Sequence, residues 1–552
     1  MRYRRLSEKP PGSGRERPEA AGSNGAARRR KERNIAMKRT RNSIINSVAG
    51  AGGYLVQMFS NFVVRAKFVE CLGESTLGVN ALFTNIISML ALAELGLGTG
   101  LIYKLYKPVA DHDVPRIKSL LRFYKRAYLL IGAVILVLGF ILSFFVYLFD
   151  KERTFSRGYM GVTFFLFVLD VLASYLFAHQ KALITADQKN YIINLAHAGA
   201  QLATCVLQII LLVTTRSFVL YIVAKIVCRV GEGLVIYFRY RRLYPEITLR
   251  GSGKIDREER RDLFHNINAM LYHKVGSFSL TSTSNMIITY FVNLVAGGIY
   301  SNYTLITNTL NNLIAQMFQG VTASFGDLIH TEDSQRAYEK FNLLYFVNFL
   351  LVSFCTTGLL VMIQPFITLW LGEGFLLGTG TLLLILLYFY IYSMRRVIFL
   401  ARDSAGLYRP DKYMPLVEAG INLGLAFLLV QYWGVNGVLA ANLISMLLIP
   451  FWIQPLIVYK YIFHRSVRAY YIRYGLYLAA TLAGAGATWF LCSRIPADWN
   501  LWLSLLLRAG VCLVVPNALN LLFFSRTQEC RYVCGLAKSI LGKMVGKRLR
   551  KT

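Results

Sequence analysis

The sequence predicts an all-α polytopic membrane protein with about fourteen transmembrane helices. Three observations carry that expectation. Hydrophobic residues make up 55% of the 552 positions, and the mean hydropathy is +0.45. The apolar residues gather into runs of about 20, long enough to cross a bilayer as helices and without the strict alternation of a membrane β-barrel. Charge is dense between the runs and uneven in sign. An even number of spans puts both tails on one side. About 50 Lys and Arg fall on that side, about 5 on the other and about 6 within spans. The positive-inside rule then places both termini in the cytoplasm.

The same totals narrow the function classes. A net charge of +32 in a soluble protein would point to nucleic acid. Here the basic residues follow one set of loops, so topology accounts for them and no nucleic-acid partner is expected. The eight cysteines are scattered without zinc or redox spacing, so neither a metal nor a disulfide framework is expected. The sequence carries no Gly-rich phosphate loop ending in Lys-Ser or Lys-Thr, and no carboxylate pair, zinc set or nucleophile constellation. The loops on the cation-poor side are too short to hold a catalytic domain, so an enzyme is not expected. The chain opens on a polar stretch and not on a short apolar signal sequence.

Residues 1–41 are rich in Arg, Gly, Glu and Pro and read as a disordered basic tail, within which Met37 is a candidate start. Spans are expected near 42–67, 77–103, 127–149, 158–179, 191–214, 217–238, 273–297, 299–326, 341–370, 379–401, 413–432, 435–459, 470–492 and 500–524. The longest internal loop, 239–272, is a cytoplasmic linker. It separates an N-lobe of six spans (42–238) from a C-lobe of six (273–465). Two further spans (466–524) and a basic tail (525–552) follow. Within that tail, Cys534 to Thr552 draws as an amphipathic helix suited to an anionic leaflet. Six plus six suggests a duplicated transporter. Gly78-Val79-Asn80 after the first span echoes Tyr300-Ser301-Asn302 after the seventh.

Span one carries Asn46, Gly50, Tyr54, Gln57, Asn61 and Arg65 at intervals of three or four, on one helix face. A polar stripe ending in a cation is costly against lipid, so it is expected to face a protein interior or a water-filled cavity. Arg65 could instead snorkel to the interface. Span six carries Lys225, Arg229 and Glu232 on one face, where Arg229 and Glu232 are spaced to pair. Lys225 lies near mid-membrane. One reading makes it part of a cationic patch for phosphate; the other makes it half of an ion pair with another helix, for example with Asp170 of span four. Glu94 in span two could partner a cation, take a coupling proton, or receive backbone and Asn contacts. Asn308, Asn312 and Gln316 in span eight share a face and suit either sugar hydroxyls or bonds between helices.

Several stretches, in order, resemble bacterial polysaccharide repeat-unit flippases, the Wzx-type branch of the multidrug/oligosaccharidyl-lipid/polysaccharide exporter superfamily. They are Leu72-Gly73 with Gly78-Val79-Asn80-Ala81-Leu82-Phe83, then Glu94-Leu95-Gly96-Leu97-Gly98 with Leu105-Tyr106-Lys107-Pro108, then Ala186-Asp187-Gln188-Lys189 with Tyr191. Tyr300-Ser301-Asn302-Tyr303, Leu369-Trp370-Leu371-Gly372 and Arg402-Asp403-Ser404-Ala405-Gly406-Leu407-Tyr408 with Asp411-Lys412-Tyr413 follow. The likeness covers roughly residues 38–465. One departure is Ser284, where many relatives are expected to carry an acidic residue.

The resemblance implies two six-helix lobes in a V around a central cavity, plus two C-terminal helices, working by alternating access in the bacterial cytoplasmic membrane. It implies an undecaprenyl-pyrophosphate-linked oligosaccharide as cargo, for capsule, exopolysaccharide or O-antigen assembly. It also implies no cofactor beyond a coupling proton or sodium ion, and contact with membrane lipids, a glycan polymerase and assembly proteins. A pyrophosphate suits Arg65, Lys225 and Arg229; sugar hydroxyls suit Gln57, Asn61, Asn308, Asn312 and Gln316. Asp170, Glu232 and Glu94 are then the charge-pairing or coupling carboxylates. Gly50, Gly52 and Gly53 could bend span one during rocking. The alternatives are a proton- or sodium-coupled small-molecule exporter of the same superfamily and, from another class, a membrane glycan polymerase or ligase.

Overall fold

The computed structural model describes residues 21–94, 97–248, 282–331, 334–407, 410–496 and 499–548, and among these the regular structure is entirely helical. The N-lobe comprises α1 (Ala21–Leu90), α2 (Leu97–Ala110), α3 (Val114–Ser143), α4 (Arg157–Tyr175), α5 (Ala178–Ala186), α6 (Asn190–Thr215) and α7 (Phe218–Leu243). The C-lobe comprises α8 (282–291), α9 (Leu294–Thr331), α10 (Ser334–Leu371), α11 (Thr379–Met394), α12 (Arg396–Ser404), α13 (Met414–Trp433), α14 (Val435–Leu448) and α15 (Pro450–Val458). A hairpin, α16 (Arg468–Cys492) and α17 (Leu501–Phe524), and the terminal α18 (Gln528–Arg548) complete the chain. Most of the expected linker, 249–272, and the extreme tails, 1–20 and 549–552, lie outside the described residues.

Nine helical stretches among the described residues are long and apolar enough to cross a membrane. α7 is of comparable length and is kept out of that number by Lys225, Arg229 and Glu232. Leu506, Leu513 and Leu522 on α17 are each more than 60% exposed. Such surface suits lipid and not water, and the chain is a multi-pass membrane protein. α3 starts at Asp113, whose side chain accepts from the Arg116 N–H, with Pro115 in the first turn; α4 starts at Ser156 in the same way. α1 begins at Ala21, so helix extends through 21–41, which the sequence reading assigned to a disordered tail. Ala26, Ala27 and the Arg and Lys that follow are strong helix formers, and their intrinsic preference outweighs the lack of an apolar stripe there.

The first two spans form one interrupted helix. Gly73 has φ 78° and ψ 178° inside α1, a region open in practice to glycine alone. The break lies there and not at Gly50, Gly52 and Gly53, which keep helical geometry. Gly50 and Gly53 face α6, where a Cβ on either would make ordinary contact with Asn194 at 3.4–3.5 Å. Within the N-lobe α1 packs on α6, α6 on α7, and α4 on both α3 and α7. In the C-lobe α13 packs on α14, α11 on α10 and α14, and α12 on α9. The α16–α17 hairpin lies on α10, where Phe349 and Tyr477 stack at 4.2 Å.

The lobes meet chiefly through α1 and α9, which run antiparallel. Gly78 and Gly298 bring the two backbones together: a Cβ on Gly78 would lie 2.0 Å from the Leu294 carbonyl oxygen. Trp370 donates to the Phe62 carbonyl at 2.9 Å, and Lys151 sits 4.2 Å above the Tyr290 ring. These contacts gather towards the end of the bundle remote from the chain termini. Tyr54, which donates to the Thr309 carbonyl at 3.2 Å, marks their mid-depth limit.

Candidate functional site

A cavity of about 410 Å³ opens on the inner side of the N-lobe. α1 supplies Gln57, Asn61 and Arg65, α6 supplies His197, Gln201, Thr204 and Gln208, and α7 supplies Tyr221, Lys225, Arg229 and Glu232. Leu305 of α9 closes it from the C-lobe. Helical periodicity accounts for the assembly, because each group repeats at three or four residues and so projects from one face.

The lower part of the α1 stripe has other tasks. Asn46 holds the α5–α6 connection, donating to the Gln188 carbonyl at 2.9 Å and accepting from the Tyr191 N–H at 2.7 Å. Gly50 is a packing site against α6, and Tyr54 reaches α9. The stripe therefore avoids lipid as expected, but only Gln57, Asn61 and Arg65 line the cavity.

Asp170 on α4 organises the cations of α7. Its carboxylate, only 5% exposed, lies 2.5 Å from Arg229 Nε and 3.1 Å from Lys225 Nζ. The expected Arg229–Glu232 pair is not made. Glu232 instead takes Lys181 of α5 at 2.7 Å and His197 of α6 at 3.2 Å. Neighbouring helices offer better geometry than an i,i+3 pair on one helix, which brings only a few tenths of a kcal/mol.

Arg65 has no carboxylate partner among the described residues. Its guanidinium crosses the lobe boundary, with Nε donating to Asn302 Oδ1 at 2.7 Å and Nη2 to Ser301 Oγ. Arg65, Lys225, Arg229 and Glu232 line the cavity, and Asp170 and Lys181 pair with them from behind, so four cations stand with two carboxylates. Leaving His197 aside, the four cations exceed the two carboxylates by two. Lys225 and Arg229 keep 37% and 31% of their side-chain surface open. They can therefore take a second anion without leaving Asp170.

Glu94 is not part of this site. It accepts from the Tyr128 hydroxyl at 2.7 Å, beside a Tyr124–Tyr128 stack. Among the described residues its partner is a phenol, and neither a cation nor an Asn. Asn308 lines a separate cavity of about 130 Å³. Asn312 and Gln316 are exposed and line neither cavity; they continue the α9 face of Leu305 towards the termini. Ser284 is buried in a neutral cluster with Asn442, Asn422 and Ser445.

His197, Gln201, Thr204, Gln208 and Lys181 were not anticipated. The first four repeat at four, three and four residues, the same signal that marked α1. Lys181 sits in a short helix with no span of its own.

No protein-family model matches the chain, and no curated protein matches its sequence. The fold has clear counterparts among solved structures. The lipid II flippase MurJ in an inward closed conformation superposes with a TM-score of 0.63 at 11% identity, covering 87% of this chain and 99% of that one. An inward-facing multidrug resistance MATE family transporter of the MOP superfamily gives 0.59 at 14% identity, covering 75% and 98%. A MATE transporter from Vibrio cholerae gives 0.51 at 11% identity, covering 78% and 99%. The chain has the fold seen in MATE transporters and in the MurJ flippase.

Proposed function

We propose that this protein is a flippase for undecaprenyl-diphosphate-linked oligosaccharides, carrying them from the inner to the outer leaflet of a bacterial cytoplasmic membrane. One observation carries the reading. A cavity at membrane depth is lined by Arg65, Lys225 and Arg229, with two carboxylates beside them: Asp170, shared by Lys225 and Arg229, and Glu232, which is paired with Lys181. A cation at membrane depth costs at least about 2.5 kcal/mol on insertion scales, so an excess of two is a liability unless an anionic ligand uses them. A diphosphate suits them, since guanidinium groups bind phosphoryl oxygens in pairs and an ammonium acts as a point charge.

With both termini in the cytoplasm, the gathered lobe contacts lie at the outer end and the cavity faces inward. This is the loading state of an alternating-access cycle. The diphosphate enters beside α7 and the lipid tail stays in the bilayer. Rocking about the α1–α9 contact then exposes the cargo outside. Nothing in this cycle breaks or forms a covalent bond. Gln57, Asn61 and Gln201 are placed to meet the first sugar or the bridging oxygens.

The fold relationship to a lipid II flippase supports a lipid-linked cargo. The relationship to multidrug transporters supports the alternative of a small-molecule exporter, whose cationic substrates would favour an acidic cavity. The excess of positive charge favours the first reading. Deleting the gene in the native host tests it: complete repeat units accumulate on undecaprenyl diphosphate while surface polysaccharide disappears. Unchanged glycan with new sensitivity to small toxic compounds would establish the exporter instead.

A further inference from the structure

The second cavity, about 130 Å³, lies where the C-lobe meets the second arm of α1. Asn85 comes from that arm, Asn285 from α8, Tyr300, Thr304, Thr307, Asn308 and Asn311 from α9, Tyr388 and Phe389 from α11, and Asn442 from α14. We propose that this cavity is a subsite for one uncharged sugar ring of the cargo. The proposal rests on the lipid-linked oligosaccharide reading above and specifies the chemistry of the glycan.

Three observations support it. No charged side chain lines the cavity among the described residues. Among the described residues, the Asn308 amide and the hydroxyls of Tyr300 and Tyr388 have no hydrogen-bond partner, yet they are not sealed off. The hydroxyls of Tyr345, Tyr390, Tyr459, Tyr470 and Tyr474 differ, being closed in without partners. Open, unused donors and acceptors between aromatic walls match a pyranose, which presents hydroxyls at its rim and C–H groups on its faces. A carboxylate or sulfate on that ring would meet no cation and would be desolvated without compensation.

Size and place agree with this. A complete small-molecule pocket occupies roughly 300–1,000 Å³, so this cavity suits one ring of a larger ligand. Thr304 and Asn308 line it, while Leu305 between them lines the cationic cavity. The two cavities therefore flank the same turn of α9, about 5.4 Å of helix. A diphosphate in one and a sugar in the other can belong to a single molecule.

The test uses the full chain in nanodiscs and three probes: bare undecaprenyl diphosphate, the same lipid carrying one neutral hexose, and the same lipid carrying one hexuronic acid. The readout is each glycosylated lipid's affinity relative to the bare lipid, measured by native mass spectrometry. The neutral hexose is expected to tighten binding about tenfold, as two or three neutral hydrogen bonds would, and the hexuronic acid not at all. Asn308→Leu and Tyr388→Phe are each expected to lower the hexose ratio about threefold. A hexose ratio unmoved by both substitutions, or a hexuronic acid bound more tightly than the hexose, overturns the proposal. Wild-type protein that does not bind the bare lipid overturns the underlying diphosphate reading. Bare-lipid binding with a hexose ratio of one overturns the sugar subsite alone.

Discussion

Arg65 of α1 donates to Asn302 Oδ1 of α9 at 2.7 Å, so a cation that lines the anion cavity also fastens the two lobes. On the proposed reading, phosphate at Arg65 would compete with Asn302 for the same guanidinium. Cargo binding and release of the lobe contact would then share one side chain.

Replacing Arg65 with Ala removes a charge-assisted bond worth about 1.5–3 kcal/mol. The outer end is expected to open in a tenfold or larger fraction of molecules. Spin labels at Glu70 and Glu373, exposed positions on opposite lobes, would report a second, longer distance. Arg65→Lys retains the charge but not the planar fork, so it recovers part of the closed population.

Asp170 restrains two cations at once. Asp170→Asn leaves Lys225 and Arg229 without their carboxylate and is expected to cost about 3 kcal/mol. That is the lower end of the range for an abandoned buried charge, because both cations keep about a third of their surface open. Thermal unfolding in detergent checks this. Adding Lys225→Met and Arg229→Met to the Asn variant should restore most of the lost stability.

The Gly78–Gly298 approach leaves no room for a methyl group. Gly78→Ala would place Cβ 2.0 Å from the Leu294 carbonyl oxygen, while Gly298→Ala would meet the Gly78 nitrogen at 2.9 Å. Both are expected to weaken outer closure, Gly78→Ala the more strongly. The same label pair ranks them.

Glu94 serves as a negative control for the site. Glu94→Gln weakens its bond with Tyr128 and is expected to lower thermal stability by about 1 kcal/mol. The affinity for undecaprenyl diphosphate in nanodiscs should stay within twofold of wild type. A tenfold loss would place Glu94 in the transport site.

Most of the helices were legible because each apolar run is bounded by charge: α6, α13, α16 and α17 begin and end within a few residues of expectation. The polar face of α1 and the cations of α7 were legible for the same reason, since any departure stands out in an apolar helix. Partners were legible only in part. The Lys225–Asp170 pair was one of two readings and is made. Arg229 and Glu232 look paired along the chain, but Glu232 goes to Lys181 and Arg229 joins Asp170, and only packing decides that competition. The turn at Gly73 falls between the first two expected spans, 42–67 and 77–103, where a break was expected. In the folded chain Gly50, Gly52 and Gly53 all keep helical geometry, and Gly73 carries the positive φ.

The most direct test of the central claim is transport by purified protein in liposomes, using undecaprenyl diphosphate carrying a fluorescent oligosaccharide. The cationic cavity predicts that wild-type protein moves this lipid across the bilayer. It further predicts that Lys225→Ala with Arg229→Ala, made in an Asp170→Asn background to avoid a stranded carboxylate, cuts the rate at least tenfold while the protein remains folded. Transport at the wild-type rate by that folded triple variant would contradict the account.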